Sequence, residues 1–178
     1  MYCIKTLIDE DFNLKSIPMD NPRIRLGARG IVLNDKNEIA ILNKINKNEY
    51  KLIGGGIEDN EEPEQAFKRE VLEESGCEIE IAKCLGTIEE LKSQDNFKQT
   101  SFVYVGKVIN DTKKLHLTNK EQEEGSKLLW MKLDQAIEAI KDSEKKLIAS
   151  KYESVYHTKF IVRRDYEILK YYKNKYEK

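Results

Sequence analysis

Three glycines, Gly54, Gly55 and Gly56, lead into a stretch dense in carboxylates, GGGIEDNEEPEQAFKREVLEESGCEIE from Gly54 to Glu80. Pro63 suits the first turn of a helix and Gly76 its end. On such a helix Glu70, Glu73 and Glu74 stand at i, i+3 and i+4 and share one face. Like charges placed this way weaken a helix by about a few tenths of a kcal/mol per pair, and Arg69 relieves the repulsion by reaching Glu73 four residues on. Phe67 and Val71, also four apart, offer an apolar contact to a sheet. A face of carboxylates supplies the oxygen ligands that a hard divalent cation such as Mg²⁺ takes. The glycines let the backbone approach a ligand closely and leave a carbonyl free to join the coordination. The alternative is a solvated helix face that happens to be acidic.

The wider spacing favours chemistry. Gly55, Glu61 and then Arg69-Glu70-Val71-x-Glu73-Glu74-x-Gly76-Cys77 fill every fixed position of the Nudix box, GX5EX7REUXEEXGU with U apolar. The chain resembles the Nudix hydrolases, with MutT-type members the most similar. There are two departures. Ile53 stands where such proteins usually carry a proline, and the last apolar position is Cys77. The box covers Gly55–Cys77, and the flanking strand order with LLWMKL carries a looser likeness across roughly residues 23–142.

The resemblance implies hydrolysis of a nucleoside diphosphate linked to another group, by attack of water at phosphorus with Mg²⁺ (or Mn²⁺) as cofactor. It places Glu70, Glu73 and Glu74 at the metal-binding and base positions, with Glu70 open as ligand or base and Gly54 lending its carbonyl. Glu61 and Arg69 match the pair that orients the loop on the helix. Gly55 and Gly56 fall at the substrate. A further carboxylate is expected from the loop NKEQEEGSKLLW, which offers Glu121, Glu123 and Glu124. Glu124 best fits the MutT-type placement before Trp130, both as catalytic group and as metal ligand. Arg25 and Arg29, two strand periods apart, are candidates to meet substrate phosphates, with a solvent-facing role as the alternative. Tyr50 and Phe97 read as packing rings rather than stacking platforms, Trp130 as core, and His116 and His157 as uninvolved.

The elements that must position these groups are legible in outline. RLGARGIVL (Arg25–Leu33) and EIAILNK (Glu38–Lys44), joined by Asn34-Asp35-Lys36-Asn37, read as a hairpin. Tyr50–Ile53 is a short strand into the glycines. CEIEIAKCLGTIEEL, KQTSFVYVGKVI and LLWMKL are further strands, and Asp134 resembles an N-cap for the helix that follows. The expected fold is α+β, a Nudix-type α/β/α sandwich with a mixed central sheet. Residues 1–22 form an N-terminal extension, 23–142 the hydrolase domain, and 143–178 a C-terminal helical extension packed on it. The amphipathic tail reads as a docked helix, with a homodimer contact or a lid bearing Arg163 and Arg164 as the sharper alternatives.

Composition narrows the partners. In 178 residues, 35% are charged, yet the net charge is −1, which argues against a large phosphate-backbone footprint. A small nucleotide is the expected partner. Capped or triphosphorylated RNA is kept as an alternative on the strength of the basic tail from Lys145, and a nucleotide-sensing module without catalysis is another. The chain has no proline after Pro63 and no SQPWPFPxS-type signal, which leaves a modified nucleoside triphosphate as the default over ADP-ribose, with nucleotide sugars open. Cys3, Cys77 and Cys84 show no CxxC spacing and suit a reduced, cytoplasmic chain. Acids at Asp9, Glu10 and Asp11 argue against a signal peptide, and no stretch reaches a membrane-spanning length.

Overall fold

The computed structural model describes residues 1–177. Its elements in chain order are β1 (Cys3–Leu7), β2 (Arg23–Leu33), β3 (Ile39–Lys44), β4 (Glu49–Gly56), α1 (Pro63–Ser75), β5 (Cys77–Lys92), β6 (Phe97–Asp111), α2 (Asn119–Glu123), β7 (Ser126–Met131), α3 (Leu133–Ser143) and α4 (Val155–Tyr176). The strands form one mixed sheet in the order β1-β5-β6-β2-β4-β3-β7. Strands β2 and β6 run parallel over their whole shared length, Arg23 beside Phe97 through Leu33 beside Lys107.

Side chains alternate across β2, and each face meets its own helices. Ala28 and Val32 pack with Ile53, Phe67 and Val71 under α1. Ile31 packs with Leu52, Val103, Ile137 and Val162 under α3 and α4. This is the expected α+β sandwich. Phe67 and Val71 are fully buried, which is worth about 1.5–3 kcal/mol each. That outweighs the few tenths per pair lost to like charges on the outer face of α1. Gly76 closes α1 in the left-handed region, at φ 71°, where a side chain would be strained.

Several local expectations change. The hairpin between β2 and β3 touches only at Leu33 and Ile39, because β4 inserts between the two strands. The helix after β7 begins two residues earlier than Asp134 suggests, with Lys132 as its N-cap. The tail is not helical from Ser143, since α4 starts at Val155. Within residues 1–22 a strand forms that the sequence pattern did not mark, β1, which joins the sheet parallel to β5. Among the described residues no helix is long and apolar enough to cross a membrane.

Candidate active site

A cavity of about 300 Å³ opens where the glycine end of β4, the outer face of α1 and the flank of α4 meet. Gly54, Gly55, Gly56, Glu70, Glu73 and Glu74 line it, together with Arg25 and Arg29 from β2. The glycines, the three α1 carboxylates and the two β2 arginines thus meet at one cavity.

The glycines act through the space they leave. A Cβ on Gly55 would lie 2.2 Å from Oε1 of Glu70, so the carboxylate occupies the volume a side chain would fill. A Cβ on Gly54 would lie 2.4 Å from the Ala28 carbonyl oxygen and 2.5 Å from Cα of Arg29. Gly54 also sits at φ 142°, a conformation that side chains resist. Its N–H donates to Oε2 of Glu74 at 3.0 Å. That is a definite role for Gly54, beside the carbonyl expected to meet a metal.

Arg69 organises the helix face. Its Nε donates to Glu61 at 2.8 Å and its Nη2 to the second Glu61 oxygen at 3.0 Å, a bidentate pair. Nη2 also donates to the Gly56 carbonyl at 3.0 Å, and Nη1 reaches Glu70 at 3.0 Å and Glu73 at 3.4 Å. Hydrogen bonds from Arg69 hold the Glu61 carboxyl below its usual range. Burial, with the charge of Glu70 adding to it, pushes Glu73 up against the pull of Arg69.

Glu74 is almost wholly buried, 3% exposed. Burial raises its pKa to about 7. Lys51 opposes the rise, and the charges of Glu70 and Glu121 add to it. Lys51 Nζ stands 3.5 Å from Glu74 Oε1.

Glu121 is the loop carboxylate at the cavity, and Glu124 is not. Glu121 and Thr118 line the cavity. Burial pushes Glu121 up, but hydrogen bonds donated by the Thr118 amide and hydroxyl carry it below the ordinary value. Glu124 turns the other way. It accepts from Lys44 Nζ at 2.7 Å and from the Ser150 hydroxyl at 2.8 Å. The expectation of Glu124 as catalytic group and ligand is thus corrected. Spacing to Trp130 locates the loop but not which carboxylate faces inward, because the short helix α2 rotates Glu121 toward α1.

Arg29 is buried, not solvent-facing, and donates through Nε to the Ser101 hydroxyl at 3.0 Å. Burial lowers its pKa to about 10, helped by the charge of Arg164. Arg25 lies beside Gly56, where a Cβ would meet its Nη2 at 3.0 Å. Phe97 is packing as expected, with the Arg23 guanidinium 4.6 Å from its ring centroid. His157 does border the cavity, against expectation. Sequence reasoning missed Lys51, Lys120 and Glu153 on the wall, because nothing local distinguishes them from other surface charges.

Among the described residues no three His, Cys, Asp or Glu groups converge on one point as their side chains lie, since Arg69, Lys51 and the Gly54 amide hold the carboxylates apart. The donor set nonetheless fits a hard divalent cation, because Glu70, Glu73, Glu74 and Glu121 all front the same cavity.

The NUDIX domain family model matches residues 23–151. The chain belongs to the Nudix family. It is similar to mouse diphosphoinositol polyphosphate phosphohydrolase 3-alpha, 35% identical over 87 residues that make up 49% of each chain. It is also similar to a putative 8-oxo-dGTP diphosphatase of Bacillus subtilis, 33% identical over 69 residues, 39% of this chain and 46% of that one. The chain thus aligns with about half the length of the curated relatives it matches. Two solved structures share the fold. A MutT protein from Methanosarcina mazei Go1 aligns over 83% of this chain and 96% of its own, with TM-score 0.50 and 21% identity. A NUDIX hydrolase from Nitrosomonas europaea covers 81% and 93%, with TM-score 0.56 and 16% identity.

Proposed function

We propose that the chain hydrolyses a diphosphate linkage in a small phosphorylated molecule, a nucleoside diphosphate derivative in the first instance, with Mg²⁺ or Mn²⁺. The observation that carries this reading is the meeting of the α1 carboxylates with Arg25 and Arg29 in one cavity. Glu70, Glu73 and Glu74, with Glu121 from the α2 loop, are the residues that would hold the cation. When bound, it supplies positive charge against the diphosphate and lowers the pKa of a bound water. Arg25 and Arg29 bind and orient phosphoryl oxygens. Arg69 braces the helix against the Gly56 carbonyl and Glu61, which keeps the carboxylates in place. Glu70 or Glu121 would take the proton from the attacking water.

A second reading has its own support. Among the described residues no aromatic side chain apart from His157 lines the cavity, while Arg25, Arg29, Lys51, Lys120 and Arg164 do. Such a wall suits a phosphate-rich molecule without a base, such as the diphosphoinositol polyphosphates named for the mouse relative. One experiment separates the readings. The chain is incubated with Mg²⁺ and a panel of dNTPs, oxidised dNTPs, ADP-ribose, nucleotide sugars, capped RNA and diphosphoinositol polyphosphates, and the products are identified. No turnover of any member would sink both readings.

A further inference from the structure

The family match ends at residue 151, yet helix α4, which begins at Val155, supplies part of the cavity wall through His157, Ile161 and Arg164. Arg164 is 1% exposed. Its Nε donates to Asp165 at 2.8 Å and its Nη1 to Glu90 at 2.8 Å. Its Nη2 is buried and has no hydrogen-bond partner among the described residues. Burying such a donor without a partner is unfavourable, the more so when it is charged. Arg29 lines the same cavity and, among the described residues, donates only through Nε, to Ser101.

The charges around these two arginines do not balance. Three cations, Arg29, Lys92 and Arg164, face two carboxylates, Glu90 and Asp165; Lys92 pairs with Glu90 at 3.0 Å. Both carboxylates are fully buried, so little water is at hand to screen the surplus positive charge. The neighbouring His157 is held neutral, its pKa lowered to about 4 by burial and then by Lys92. A planar guanidinium edge with free N–H groups is matched by a tetrahedral phosphoryl group, which accepts two parallel hydrogen bonds.

We propose that Arg164 and Arg29 form a phosphoryl subsite, built half from the C-terminal helix, that holds a substrate phosphate other than those of the bond being cut. It rests on the hydrolase reading and extends it, since such a subsite selects small molecules with three or more phosphoryl groups. The rival role is purely structural, an ion cluster that anchors α4 to the sheet.

The test is made on the full chain in excess EDTA, so that no turnover occurs. Inorganic phosphate and methylenediphosphonate are titrated separately by calorimetry. The wild type is expected to bind both, and Arg164→Lys to bind at least tenfold more weakly. That variant keeps a positive charge beside Glu90 and Asp165. Arg29→Lys, expected to show the same loss, carries the test if Arg164→Lys fails to fold. Lys141→Gln, an exposed change on α3, is expected to leave binding unaltered. No binding by the wild type, or binding as tight as the wild type's by both arginine variants, would overturn the proposal. Tighter binding of the diphosphonate than of phosphate marks the source as a substrate-borne chain, and equal binding marks it as free phosphate; either supports the subsite. A chain that binds phosphate here but turns over nothing in the substrate panel defeats the activity reading alone. Turnover without phosphate binding defeats the subsite alone.

Discussion

Lys44 donates to Glu124 across 2.7 Å in a region where both side chains are almost sealed from water. Breaking a buried pair on one side leaves a charge without compensation, at a cost of about 3–5 kcal/mol. Glu124→Gln should therefore lower the melting temperature clearly and leave kcat within a few-fold. Glu121→Gln should do the reverse, lowering kcat tenfold or more at saturating Mg²⁺ with little thermal change. Thermal melts and initial rates on the two variants decide this. A rate loss confined to Glu124→Gln would return the loop carboxylate to the position that sequence spacing suggests.

Gly54 and Gly55 are adjacent, but substitution should act on different properties. Alanine at 55 meets only the end of the Glu70 side chain, at 2.2 Å, which can swing away. Gly55→Ala should fold with a near-normal melting temperature and lose most of its activity. Alanine at 54 meets backbone at 2.4–2.5 Å and requires a strained φ, so Gly54→Ala should be destabilised by several kcal/mol or fail to fold. Equal melting temperatures for the two would refute the assignment.

Arg69 and Glu61 form a bidentate pair whose side chains are 24% and 14% exposed. A double-mutant cycle with Arg69→Gln and Glu61→Gln should give a coupling of about 1–3 kcal/mol. Each single change should also raise the metal concentration needed for half activity, because Arg69 holds Glu70 and Glu73 as well. Additive effects on stability would mean that the pair is incidental.

Dependence on a divalent cation follows from the carboxylate face. Excess EDTA should abolish turnover and Mg²⁺ or Mn²⁺ restore it, while Glu73→Gln and Glu74→Gln should each lower kcat by about a hundredfold or more. Full turnover in chelator would contradict this.

His157 gives a pH signature in stability. It packs against Phe97, its ring nitrogens face Lys92 and Asp95, and Glu90 and Glu153 lie near. Burial and then Lys92 lower its pKa from 6.5 to about 4. The unfolded chain takes up a proton near pH 6.5 that the folded chain refuses until about pH 4. The neutral imidazole therefore costs nothing above pH 6.5, and stability falls as pH drops from 6.5 to about 4, by up to about 3 kcal/mol. Urea melts of the wild type and His157→Gln across that window should differ in slope. Parallel curves would show that His157 titrates normally.

The box was legible because its residues are bound to one another by short-range geometry. Glu70, Glu73 and Glu74 share a helix face by periodicity alone, and Arg69 reaches Glu61 only eight residues back, across the start of the same helix. Arg25 and Arg29 were legible as a pair on one strand face, but not that Arg29 would be buried while Arg25 stays exposed. What lies under that face is α4, whose docking depends on contacts more than a hundred residues away, such as the Leu52 amide donating to Asp165 at 2.8 Å. Arg164 and Glu121 reach the cavity through tertiary rotation of their helices, which no local pattern encodes. Strand β1 was missed for a similar reason, since a five-residue edge strand owes its state to its partner.

The order of the sheet also bears on how the chain meets its own copies. A strand with unpaired backbone groups can be extended by a strand from another molecule. Here β6, one of the two longest strands, is paired on both sides, and the outer strands β1 and β7 have only five and six residues. β5 is covered by β1 only from Thr87 to Glu90, and its open portion from Cys77 breaks register three times before Gly86. That portion also carries Glu78, Glu80 and Lys83. Bulges and charges of this kind discourage the continuous ladder that strand-to-strand growth needs, so the chain should remain dispersed at concentrations where a flat, apolar edge would seed fibres.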